Sequence, residues 1–81
     1  MTRGSVVTET VADAVVATVN GDERRLPAGS TVADLLASLD LDARTVVVER
    51  NRTILRHRSS FAKLELQSDD SIEIVHFVGG G

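Results

Sequence analysis

The strongest periodic signal in the chain is Ser30-Thr31-Val32-Ala33-Asp34-Leu35-Leu36-Ala37-Ser38-Leu39. Val32, Leu35, Leu36 and Leu39 fall at i, i+3, i+4 and i+7, so they share one face of a helix. Thr31 is placed to cap it, and Asp34 sets a carboxylate near the unpaired first amides and the positive end of the dipole. A helix with one apolar face has to bury that face. The segments on either side are extended, so the pattern predicts an α+β roll in which one main helix lies across a sheet.

The extended segments are legible from their punctuation. Val15-Val16-Ala17-Thr18-Val19 is a β-branched run that meets Asn20-Gly21, a turn pair whose residues both tolerate positive φ. Glu23-Arg24-Arg25-Leu26 is the return strand, stopped by Pro27-Ala28-Gly29. After the helix, Asp40-Leu41-Asp42 breaks the period and Thr45-Val46-Val47-Val48-Glu49 forms a second β-branched run. Arg50-Asn51-Arg52 turns it back through Thr53-Ile54-Leu55. Phe61 is expected to plug the core from a short helical turn within the otherwise polar Arg56–Ala62, and Leu64 and Leu66 belong to a brief strand or extended link. Ser68-Asp69-Asp70-Ser71 then launches the last strand. The order is β-β-α-β-β-β, with residues 1–13 as a flexible extension, 14–78 as the folded domain and 79–81 as a flexible tail.

Composition narrows the chemistry. With 81 residues the chain is one domain that buries about 60% of its unfolded surface. Apolar residues make up 42% of it, but Phe61 and Phe77 are the only aromatic rings, so the core is aliphatic and offers no stacking platform for bases. There is no cysteine, which excludes disulfides, thiolate metal sites and side-chain persulfides. A formal charge of -3 argues against nucleic-acid binding. No apolar run approaches a membrane span and no secretory signal is visible, so a soluble cytoplasmic protein is expected. His57 and His76 lack further ligands at metal spacing, and no Ser-His-Asp or paired-carboxylate arrangement stands out; neither a metal site nor an enzyme is expected. Arg50, Arg52, Arg56 and Arg58 come without aromatics or a glycine cradle and read as a solvated loop face.

The chain ends Ile72-Glu73-Ile74-Val75-His76-Phe77-Val78-Gly79-Gly80-Gly81. Three terminal glycines give no packing, but without Cβ atoms they make a backbone thin enough to thread a narrow channel. The reactive group of such a tail is the α-carboxylate of Gly81. In the strand before it, Ile72 and Ile74 alternate with Glu73, Val75 and Phe77. If the isoleucines pack under the helix, Val75 and Phe77 point to the other side. There they form a docking patch extended by Val47 and bordered by His76 and Val78, or Phe77 folds over its own sheet edge as core.

A small acidic domain ending in this way resembles the ThiS family of ubiquitin-like sulfur carriers of thiamin thiazole biosynthesis. The likeness runs from about Val15 to Gly81 and is most specific at His76-Phe77-Val78-Gly79-Gly80-Gly81. Arg56-His57-Arg58-Ser59 departs from the Pro-Arg pairing expected near that point. The resemblance implies a β-grasp topology with a mixed sheet and one main helix. It also implies a carrier cycle, because a carboxylate with an ordinary pKa of roughly 3.5 is anionic and a poor electrophile. A ThiF-like adenylating enzyme would activate Gly81 with Mg-ATP. A persulfide donor would convert the adenylate to a thiocarboxylate, and a ThiG-like thiazole synthase would accept the sulfur. Gly79 and Gly80 would thread the partner active sites; the carrier itself would bind no cofactor. Carriers for molybdopterin or tRNA thiolation, and ubiquitin-like protein modifiers, share the tail and differ in partners. A single lysine, Lys63, leaves a modifier one side-chain attachment point for chains.

Overall fold

A computed structural model describes residues 14–77; the extension 1–13, Val78 and the glycines 79–81 lie outside the described residues. Its elements are β1 (Ala14–Val19), β2 (Asp22–Pro27), α1 (Val32–Ser38), β3 (Val46–Arg50), β4 (Thr53–Ile54) and β5 (Ser71–His76), with 3-10 turns at Ala43–Thr45 and Arg58–Lys63. The strands form one sheet in the order β2-β1-β5-β3-β4. β1 and β5 run parallel and the other neighbours antiparallel, so the sheet is mixed. The last strand therefore lies at the centre of the sheet, between the first and the third.

Each expected local element is present. Asn20 (φ 50°) and Gly21 (φ 88°) take the left-handed backbone that a tight hairpin requires. Asn51 and Arg52 do the same at φ 50° and 73°, giving β3–β4 a two-residue turn without glycine. The helix carries a full capping box: the Asp34 amide donates to Thr31 Oγ1 at 3.1 Å, and the Thr31 amide to Asp34 Oδ2 at 2.9 Å. At 7 residues α1 is too short to hold alone and depends on packing. Val32, Leu35 and Leu36 supply it, sealed against Val15, Val19, Leu26, Val46, Val48, Ile72 and Ile74 from the sheet. Phe61, 3% exposed, plugs the core from the 3-10 turn as its isolation in a polar stretch suggested. Pro27 is the last residue of β2 rather than the first beyond it, which an edge strand tolerates because nothing pairs with its outer side. No helix among the described residues is long and apolar enough to cross a membrane.

The link between Leu64 and β5 is held by polar contacts. Asp70, only 5% exposed, accepts from the Gln67 amide at 2.8 Å, Asn51 Nδ2 at 3.0 Å and Arg50 Nε at 3.0 Å. Arg50 Nη2 completes an ion pair with it at 2.8 Å and also donates to the Glu65 carbonyl. Burial pushes the Asp70 carboxyl up, but the Gln67, Asn51 and Arg50 donors outweigh it and hold it below the ordinary carboxylate value. Arg50 is thus a structural ion-pair partner rather than part of a solvated loop face.

Candidate functional site

Strand β5 leads the chain toward the glycines, and the way its end is held defines the site. Its ladder with β3 pairs Val46 with His76, Val47 with Val75 and Val48 with Ile74. The Phe77 amide donates to the Thr45 carbonyl at 2.9 Å and the Asn51 amide to the Ser71 carbonyl at 2.8 Å. Because hydrogen-bonded and non-bonded pairs alternate, Val47–Val75 is a bonded pair as well. The backbone groups of Ile72, Ile74 and His76 consequently point away from β3, toward β1.

β1 does not reach far enough to meet them all. Its register with β5 covers Thr18–Ser71 and Val19–Ile72. Beyond it the Asn20 amide donates to the Ile72 carbonyl at 2.9 Å. The Asn20 side chain then accepts from the Ile74 amide at 2.7 Å and donates to the Ile74 carbonyl at 3.2 Å. A carboxamide carries the same donor and acceptor as a peptide group, so Asn20 stands in for the next residue of a strand that has already turned away.

The other side of β3 repeats the arrangement. β4 is 2 residues long, and its last sheet bond runs from the Leu55 amide to the Val48 carbonyl. Past that point Arg58 takes over, with Nη2 donating to the Val46 carbonyl at 3.2 Å and Nε to the Ala43 carbonyl at 2.8 Å. Its guanidinium carbon lies 5.2 Å from the centre of the Phe77 ring, within cation–π range. The end of the β3–β5 ribbon thus projects past both flanking strands, with one polar side chain extending its hydrogen bonding on each edge.

Val47, Val75 and Phe77 share the sheet face turned away from α1. Val75 is 60% exposed and Phe77 55%, so Phe77 is no core residue; Val47 is half-buried opposite Val75. The structure adds Ile54, 42% exposed and paired with Glu49 on the same face, to the patch expected from Val47, Val75 and Phe77. The two-residue turn at Asn51-Arg52 was the available signal, since it sets Ile54 across from Glu49. Ile54, Val75 and Phe77 are the exposed large apolar residues among the described ones, and all lie on one face. His76 does not join them. With a period of two it falls on the side of Ile72 and Ile74, exposed at the strand end, and being next to Val75 in sequence puts it on the opposite face. Val78, Gly79, Gly80 and Gly81 lie outside the described residues. Among the described residues no three His, Cys, Asp or Glu side chains gather as a metal site.

Comparison with known proteins gives a consistent picture. The model of the ThiS family matches residues 12–81. A sulfur carrier protein ThiS from Bacillus subtilis is 51% identical over 51 residues, covering 63% of this chain and 76% of that protein. A thiazole synthase from Paramagnetospirillum magneticum is 46% identical over 63 residues, and this chain spans 19% of its length. One from Magnetococcus marinus is 41% identical over 63 residues, again with 19% of its length spanned. Among solved structures, the crystal structure of a thiamine biosynthesis protein (ThiS) from Geobacter metallireducens superposes with a TM-score of 0.70 at 31% identity. It covers 83% of this chain and 100% of that one.

Proposed function

Because the chain belongs to the ThiS family, we propose that it is a sulfur carrier of thiamin biosynthesis whose working group is the α-carboxylate of Gly81. The observation that carries this reading is the 51% identity to a sulfur carrier protein ThiS, in a chain whose central strand runs out into Gly79-Gly80-Gly81. The exposed Val75 and Phe77, with half-buried Val47 beside them, supply an apolar docking face.

The chemistry follows from what a carboxylate lacks. A ThiF-like adenylating enzyme with Mg-ATP lets a carboxylate oxygen of Gly81 attack the α-phosphorus, and pyrophosphate leaves. The resulting acyl adenylate is an electrophile. A persulfide on a donor protein attacks its carbonyl carbon and expels AMP, leaving an acyl disulfide. A second thiol takes the donor sulfur into a disulfide and frees the terminal thiocarboxylate. A ThiG-like thiazole synthase accepts the sulfur, and an oxygen from the acceptor or from water takes its place on the acyl carbon and regenerates the carboxylate; the likeness to part of two thiazole synthases supports that partner. The carrier contributes recognition and a tethered substrate, while catalytic groups and Mg-ATP belong to its partners.

Intact-mass spectrometry after incubation with a ThiF-class enzyme, Mg-ATP and a persulfide source tests the reading. The expected product is the chain with one oxygen replaced by sulfur at Gly81, absent when Gly80 and Gly81 are deleted. A wild-type chain that forms neither adenylate nor thiocarboxylate with a competent enzyme overturns it.

A further inference from the structure

Arg58 touches both the end of the β3–β5 ribbon and the ring of Phe77. Its Nε and Nη2 bond the carbonyls of Ala43 and Val46, one on each side of Thr45, the residue whose carbonyl receives the Phe77 amide. Its guanidinium carbon lies 5.2 Å from the Phe77 ring centre. Three contacts from one rigid planar group thus hold the start of β3 and the last residue of the β5 ladder in a fixed relation. β4 has ended and offers no strand in its place.

We infer that Arg58 is a positioning residue for the carrier reaction: a guanidinium clasp that holds Phe77, the residue from which the sequence continues to Gly81, against the start of β3. The inference rests on the carrier reading for its consequence and on the Arg58 contacts for its geometry. A tail that leaves from a fixed point loses less freedom on docking than one whose root is frayed, and the saving appears in binding. Arginine suits the place because its planar fork bonds two carbonyls while its charge lies over a ring; lysine keeps the charge but loses the fork.

Two measurements on R58M and R58K, each compared with wild type, decide it. In amide exchange, Phe77 is expected to exchange at least roughly five times faster in both variants, with Leu35 in the helix unchanged as a reference for global stability. In adenylation by a ThiF-class enzyme, both variants are expected to raise the KM for the carrier roughly 3- to 10-fold with kcat within about twofold, as loss of uniform binding does. F77L, which keeps the carbonyl bonds and removes the ring, falls between wild type and R58M, and adds little on top of R58M. Unchanged Phe77 exchange in R58M overturns the clasp. Wild-type KM in R58K beside a raised KM in R58M assigns Arg58 a point charge on the partner instead and overturns the positioning role. Faster exchange with unchanged KM overturns that role too. If the wild-type chain is not adenylated, the carrier reading fails and the positioning role with it, while the exchange data still report whether the clasp exists.

Discussion

At Asp70 burial and hydrogen bonding pull in opposite directions, and the result is measurable. Burial favours the neutral acid; the Gln67 amide, Asn51 and Arg50 favour the anion and win, so the folded-state pKa lies below the ordinary 3.8. A depressed carboxylate contributes stability that is complete above its unfolded pKa and is lost as pH falls through the folded one. D70N removes that contribution and leaves Arg50 without its partner. It should cost about 2–3 kcal/mol near neutral pH in urea titrations, with the gap to wild type closing as pH drops below about 4. Asp42 is a control: Arg44, first through its side-chain hydrogen bond and then through its amide, lowers the Asp42 carboxyl to about 2. That pair is solvent-exposed, so D42N should change the urea midpoint little.

Among the elements, β5 is the one most dependent on its neighbours' turns. Asn20 grips Ile74 from the β1 side, while Asn51 accepts from the Ser71 amide at 2.9 Å from the β3 side. Each asparagine is the first residue of a two-residue turn with positive φ, so one residue type serves the turn and pins the strand. N20G separates these roles, because glycine keeps the backbone conformation and removes the carboxamide. The variant should lose about 1–2 kcal/mol and show faster exchange at the Ile74 amide, with the hairpin intact. The hairpin role of Asn20-Gly21 is legible as a local pattern. The grip on Ile74 is not, since it joins residues 54 apart and depends on the pairing with β1 stopping at Ile72 while β5 runs on to His76.

For the whole molecule, one sheet face is committed to the core and the other is left open. α1 covers the face of Ile72 and Ile74; Val47, Ile54, Val75 and Phe77 lie on the other. A charge placed on the open face should therefore spare the fold and damage docking. V75D is expected to keep its Tm within about 4 °C of wild type, because Val75 is 60% exposed, and to raise the KM for adenylation roughly tenfold or more. A Tm loss as large as that of a core truncation such as L35A would instead place Val75 in the folding core.

By itself the sequence determined the helix and its cap, both hairpin turns, the buried Phe61 and the alternation that separates Ile72 and Ile74 from Val75 and Phe77. These are set by contacts within a few residues, where periodicity and turn chemistry act directly. Alternation also places His76 on the face opposite Val75. Tertiary structure alone decided that β5 occupies the centre of the sheet, that Arg50 is spent on Asp70 and that Arg58 closes on Phe77. Where strands of unequal length lie side by side, the longer ones carry backbone groups that need partners, and which side chain reaches them depends on the assembled sheet. Asn20 and Arg58 meet that need at opposite edges of the ribbon that leads into the glycines.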